Sequence, residues 1–161
     1  MPLVYLSLGS NLGDRKKYIN DAEILIEKII GTITSKSGLY ETEPWRTNHP
    51  ELFLNEVLSV ESNFGPFQIL EKIQSIEKML GRIRTDQNYA PRTIDIDILF
   101  IGNLILKDEN LEIPHPHIRE RRFVLEPLSE IAAGFIHPII NKTIKELLSN
   151  CIDKHFVRKI S

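Results

Sequence analysis

The stretch PRTIDIDILF spans residues 91–100 and reads as a strand that carries two carboxylates. Ile94, Ile96, Ile98 and Leu99 suit a pleated, packed surface, whereas Asp is depleted from strands. Successive strand side chains point to opposite faces. Asp95 and Asp97 therefore share one face, with Cα atoms about 6.6 Å apart from the rise per residue. Ile94, Ile96 and Ile98 point the other way, toward a core. A partly buried carboxylate pair needs a cation or a shared proton. Hard divalent ions such as Mg2+ suit these oxygens and keep waters or phosphate oxygens as their remaining ligands. The competing reading is a half-exposed strand whose acidic face discourages edge pairing. Arg82, Arg84 and Arg92, in the segment that feeds the strand, serve either reading. They hold phosphate beside a metal, or they neutralise the aspartates.

Upstream, Leu3 to Leu8 is a short apolar run ended by GSNLGD at 9–14, a strand followed by a tight turn. This turn lacks the G-K-[ST] ending of a phosphate-cradling loop. Asp14 caps the next helix, whose stripe is Tyr18, Ala22, Leu25 and Ile29, with Gly31 as its stop. Residues 33–42 read as extended, the two prolines of 43–51 mark a loop, and 53–62 reads as a strand. Gly65 and Pro66 open a second helix with Ile69, Ile73, Ile76 and Leu80 at helical spacing, ended by Gly81. Glu77 borders that stripe, either as an acceptor for a ribose or base or as a boundary residue paired with Lys78 or Arg82.

Downstream, Gly102-Asn103 makes a turn and 104–113 holds one or two short strands. Pro127 begins a short helix, and Thr143 with Glu146 has capping-box spacing before a last one. The order of strand, helix, strands, helix, strand and helical tail predicts one α+β domain over 1–161. It fits a ferredoxin-like sheet with helices on one face.

The segment IPHPHIRERRF, 113–123, gathers His115, His117, Arg119, Arg121, Arg122 and Phe123. Pro116 between the histidines and the lack of a third soft ligand argue against zinc. The segment reads as a phosphate clamp beside a stacking ring, or as a solvated basic turn with Phe123 in the core.

Composition narrows the partners. With 161 residues, 42% hydrophobic and 26% charged, the chain supports one compact core. A net charge of −2, from 20 basic and 22 acidic residues, gives no global pull toward nucleic acid. Any anion site is then a local cluster of cations. No stretch approaches the roughly 18 apolar residues of a membrane span. The N-terminal apolar run is broken by Ser7, Gly9 and Ser10 and has no basic leader. The single Cys151 fits a reducing compartment, so a cytoplasmic protein is expected.

Ordered landmarks resemble the 6-hydroxymethyl-7,8-dihydropterin pyrophosphokinase family: GSNLGD (9–14), YETEP (40–44), FLNEV (53–57), IEKMLGRIR (76–84), APRTIDIDIL (90–99) and IPHPHIRERRFVLEPL (113–128). The resemblance implies a ferredoxin-like monomer. It implies transfer of a diphosphoryl group from ATP to the pterin hydroxymethyl group, with release of AMP. By resemblance, Asp95 and Asp97 bind two Mg2+ ions, while Arg82 and Arg92 engage the phosphates and aid catalysis. Arg84, His115 and Arg121 match further ATP contacts, and Gln74, Glu77 and Ile98 fall where the family holds the nucleoside. Asn55 matches the side chain that reads the pterin edge. Phe53 and Phe123 match the rings that sandwich it, with backbone near Thr42 and Trp45 completing the pocket. The chain departs from the family's usual residues at Asn88, Ala90, Asn110 and Glu112. Two other classes use some of these parts. A Mg2+-dependent phosphohydrolase shares the aspartates and arginines but has no use for a pterin slot. A non-catalytic ferredoxin-like binding module has no use for the aspartates.

Overall fold

The computed structural model describes residues 2–43, 52–81 and 93–161. Strand β1 (Leu3–Ser10) leads through the turn of residues 11–14 into α1 (Arg15–Ile29). Asp14 caps this helix by accepting the N–H of Lys17 at 3.2 Å, as its position predicts. Next come β2 (Thr32–Lys36), β3 (Tyr40–Thr42), β4 (Phe53–Glu61) and α2 (Pro66–Met79). Then follow β5 (Asp95–Ile101), the short pair β6 (Leu106–Lys107) and β7 (Glu112–Ile113), and a 3-10 turn at Ile118–Glu120. Helices α3 (Arg122–Ala132) and α4 (Ile144–Ser149) and strand β8 (Val157–Lys159) complete the order.

The main sheet runs β5-β1-β4-β3-β8, with β2 also on β4, and every pairing is antiparallel. With β2 and β3 taken as one interrupted strand, this is the ferredoxin-like order. The extended segment expected at 33–42 is interrupted at Ser37, whose N–H and hydroxyl both bond the backbone of Val57. Among the described residues, no helix is long and apolar enough to cross a membrane.

Helices cover both faces rather than one. On the first face α1 and α2 enclose a core of Val4, Leu6, Leu8, Leu54, Leu58, Ile96 and Ile98. The buried stripe of α1 is Ile19, Ala22 and Ile26, with Leu25 and Ile29 at its border, so the true stripe is rotated from the expected one. Tyr18 instead lies over Gly13. On the second face α3 and α4 pack Val124, Leu125, Leu128, Ile144 and Leu147 onto Tyr5, Val57, Leu99 and Phe100. Helix α3 begins at Arg122, not at Pro127, which sits inside it. Burial of Val124, Leu125 and Leu128 outweighs the one helix bond that a proline removes. The last helix carries the expected capping box, with Thr143 Oγ1 accepting the N–H of Glu146 at 3.1 Å.

Strand β8 was not foreseen in the sequence. It pairs with β3, and Gly38 lets it come close, because a Cβ there would collide with the Ser161 carbonyl oxygen.

One buried carboxylate belongs to the helix-covered first face. Glu56 is 3% exposed on β4. Burial, then a hydrogen bond and repulsion from Glu23, push its pKa up to about 9, with Lys36 opposing. The folded chain thus holds this proton more tightly than the unfolded chain. Its contribution to stability is complete below the ordinary carboxylate range and is lost as pH rises through about 9. Thermal unfolding should show a midpoint that falls between pH 5 and 9, and Glu56→Gln should flatten that fall and unfold at a higher temperature than the parent at pH 8.

Candidate functional site

Strand register assembles the site on the second face, beside the core that α3 and α4 form there. β1 pairs Gly9 with Asp95 and Ser7 with Asp97 on one side, and Gly9 with Asn55 and Ser7 with Val57 on the other. β3 pairs Tyr40 with Asn55 and Thr42 with Phe53. Directly paired residues share a face. Asp95, Asp97, Asn55, Phe53 and Thr42 therefore lie on one side of the sheet. Ile94, Ile96 and Ile98 are at most 5% exposed on the other. Both aspartates are partly buried.

Gly9 makes room for two side chains at the middle of this surface. A Cβ there would stand 2.9 Å from Asn55 Oδ1 and 3.5 Å from Phe53 Cδ1. Asn55 is 4% exposed and its Nδ2 donates to Thr42 Oγ1 at 2.5 Å. The amide is locked, with its oxygen over Gly9. Phe53 is partly exposed at the first position of β4. Phe123, in the first turn of α3, packs partly buried against the second core.

A β-bulge separates the site from that core. The β1–β5 register shifts between Tyr5 and Leu6, so Leu99 is the extra residue. Leu99 and Phe100 both enter the second core, while Ile101 returns to the first. The outward carbonyl of Leu99 accepts the N–H of His115 at 3.0 Å, which draws the 113–118 segment along the edge of β5.

His115 is held neutral there. Burial, then the charges of Arg121 and His117, push its pKa down to about 4 against the pull of Asp95. Its Nδ1 accepts the N–H of His117 at 3.2 Å, so in the neutral ring Nε2 carries the proton. Arg121 lies with its Cζ 5.7 Å from the centre of the Phe123 ring. His115, Arg121, Asp95 and Phe123 thus form one neighbourhood. Arg122 does not join them. Its Nε donates to the Asp153 carbonyl at 3.0 Å and its Nη2 to the Cys151 carbonyl at 3.1 Å. The basic segment divides between a site residue and a structural one.

Glu77 makes a structural contact besides the roles expected of it. It is 3% exposed and its Oε2 accepts the N–H of Ile96 at 2.9 Å, docking α2 on the outer edge of β5. Gln74 is exposed one turn earlier on α2. The side chain of Ile98 is in the first core. By the two-residue repeat of strand hydrogen bonding, its backbone N–H and C=O face the same edge as the N–H of Ile96. Trp45, Arg82, Arg84 and Arg92 lie outside the described residues.

The donor set fits a hard cation that brings its own remaining ligands. Among the described residues no group of three or more His, Cys, Asp and Glu side chains is placed to hold a metal. An ion held by Asp95 and Asp97 would take phosphate and water oxygens as further ligands, as Mg2+ does. The Thr93 hydroxyl, missed in the sequence, is buried without a hydrogen-bond partner two residues before Asp95. A hydrated ion or a phosphate oxygen satisfies such a group.

Comparison with known proteins agrees with this geometry. Residues 5–133 match the family described as 7,8-dihydro-6-hydroxymethylpterin-pyrophosphokinase (HPPK). The chain is 40% identical over 146 residues to the 2-amino-4-hydroxy-6-hydroxymethyldihydropteridine pyrophosphokinase of Aquifex aeolicus, covering 91% of this chain and 90% of that protein. It is 42% identical over 153 residues to the folic acid synthesis protein fol1 of Pneumocystis carinii, covering 93% of this chain and 20% of that protein. A solved HPPK-DHPS of Plasmodium falciparum superposes with a TM-score of 0.74 at 19% identity, over 92% of this chain and 43% of that one. At that identity the likeness concerns the fold. This chain therefore spans about a fifth of the fol1 relative and under half of the solved chain. Family match and full-length similarity to the Aquifex protein lead to one assignment: the chain belongs to the HPPK family.

Proposed function

We propose that this protein transfers the diphosphoryl group of ATP to the hydroxymethyl group of 6-hydroxymethyl-7,8-dihydropterin, giving the pterin diphosphate and AMP, in folate biosynthesis. The observation that carries the proposal is the shared sheet face. It sets an aspartate pair across the side-chain-free Gly9 from a locked amide and a partly exposed ring.

Asn55 presents donor and acceptor to the polar edge of the pterin, Phe53 and Phe123 lie against its faces, and backbone near Thr42 and Trp45 closes the pocket. Asp95 and Asp97 hold two Mg2+ ions, which when bound neutralise charge on the phosphate oxygens of ATP. His115, through its Nε2–H, and Arg121 donate to those oxygens, with Arg82, Arg84 and Arg92 as further cations. The nucleoside lies along the β5 edge beside Gln74 and Glu77, where the backbone of Ile98 meets the base. Among the described residues no side chain is an evident base for the attacking alcohol, and the protein works as a monomer in the cytoplasm.

Mixing the protein with ATP, Mg2+ and the pterin should yield AMP only when the pterin is present. ADP as product would overturn the proposal, and AMP formed equally without pterin would point to the phosphohydrolase class. Asp95→Asn and Asp97→Asn should each lower kcat by about two orders of magnitude or more. Gly9→Ala pushes a methyl group into Asn55 Oδ1 and should weaken pterin binding about tenfold, read by fluorescence titration.

A further inference from the structure

Arg15 stands at the start of α1, where the helix dipole disfavours a cation. Its guanidinium is committed elsewhere. Nη1 donates to the Leu52 carbonyl at 3.0 Å and Nη2 to Glu41 Oε2 at 3.0 Å. The other oxygen of Glu41 accepts from Arg158 Nη2 on β8 at 2.8 Å. Arg158 and then Arg15 hold the Glu41 carboxyl below the usual carboxylate range. Both partners are largely covered, with side chains 29% and 16% exposed for Arg15 and Glu41.

These groups lie on the wrong face to touch a substrate. Glu41 pairs with Leu54, whose side chain is in the α1–α2 core, whereas Thr42 and Phe53 face the site. Arg15 nevertheless grips both strands at the point that matters. Among the described residues the β3–β4 ladder has the pairs Tyr40↔Asn55, Glu41↔Leu54 and Thr42↔Phe53, and the last is its end. Ladder ends fray unless tied. Glu41 belongs to one strand of that end and Leu52 immediately precedes the other.

We infer that Arg15 is a positioning residue for the pterin half of the site: by bridging Glu41 and the Leu52 carbonyl it holds the Thr42–Phe53 end of the ladder closed, and so fixes Phe53 and the Asn55–Thr42 pair from the opposite face of the sheet. This rests on the pterin reading above. The aspartate half sits on β5 across β1 and does not depend on the clamp. Loss of Arg15 should therefore separate the two substrates kinetically.

The test is steady-state kinetics on the whole chain with each substrate varied, for Arg15→Ala and Arg15→Lys, plus fluorescence titration of the pterin beside a non-hydrolysable ATP analogue. Arg15→Ala should raise the KM and Kd for pterin about tenfold and leave kcat and the KM for ATP within about twofold. Arg15→Lys should fall between, since an ammonium lacks the planar fork that spans two acceptors. Equal changes in both KM values, or a lower thermal midpoint with unchanged KM values, would overturn the inference. If the alanine variant does not fold, the lysine variant decides by the same pterin-against-ATP split. Failure of the parent chain to form AMP would sink the proposed function. An active parent with an unchanged pterin KM in the variants would sink only the role of Arg15.

Discussion

The register of β1 is the constraint on which the rest depends. This strand lies between β4 and β5, and its residues from Val4 to Gly9 each fix a partner on both sides. Gly9 meets Asn55 and Asp95, while Ser7 meets Val57 and Asp97. Side-chain period in a strand is two, so a slip of one residue would turn the aspartates into the α1–α2 core and bring isoleucines to the surface. Burial of Leu6, Leu8, Ile96 and Ile98 beneath α1 and α2 forbids that slip. Two isolated ions buried without partners would cost far more than the apolar contacts they replace. The apolar face thus sets the position of the polar one, and the carboxylate pair needs no anchoring of its own.

A second division acts within the polar face. The bulge at Leu99 brings two successive apolar residues to α3, so the second core starts abruptly one step beyond Asp97. Along β5 the same face passes from carboxylates to a packed aromatic cluster, where Phe100 and Phe135 have ring centres 4.7 Å apart. Helix α3 is held against the sheet from its far end as well. Glu130 accepts the Tyr40 hydroxyl at 2.9 Å and the Gly38 N–H at 2.8 Å, and it pairs with Lys159 at 3.0 Å. Phe123 at the start of that helix is consequently referred to β3, the strand paired with the Phe53–Asn55 length of β4.

Alternation and punctuation made much of this legible. The shared face of Asp95 and Asp97, the Asp14 cap, the α2 stripe and the Thr143 capping box follow from local spacing, and local spacing is what one sequence displays. Features set by distant contacts were not legible. Strand β8 is only three residues long, and its strand character comes from pairing with β3, more than a hundred residues earlier. The start of α3 was misplaced because Pro127 outranked the apolar spacing of Val124, Leu125 and Leu128. The second helix layer follows from that spacing. Glu77 was read for what it offers a ligand, and its bond to the Ile96 N–H depends on how α2 lies across β5. Named substrates came from resemblance to a family and not from the alternation.

The edge of β5 shows how these constraints combine. An edge strand exposes backbone donors and acceptors and invites another chain to pair. Here Glu77 takes the N–H of Ile96 and the N–H of His115 takes the carbonyl of Leu99. Both contacts close the edge with groups that belong to the candidate site, and between them lies the backbone of Ile98. A planar base with a donor beside an acceptor matches that short length of edge, whereas a full strand meets Glu77 at one end and the 113–118 segment at the other. The same two contacts that guard the sheet against aggregation therefore bracket the backbone of Ile98. On the proposed function, a base at that backbone sits beside the strand whose aspartates face the phosphates.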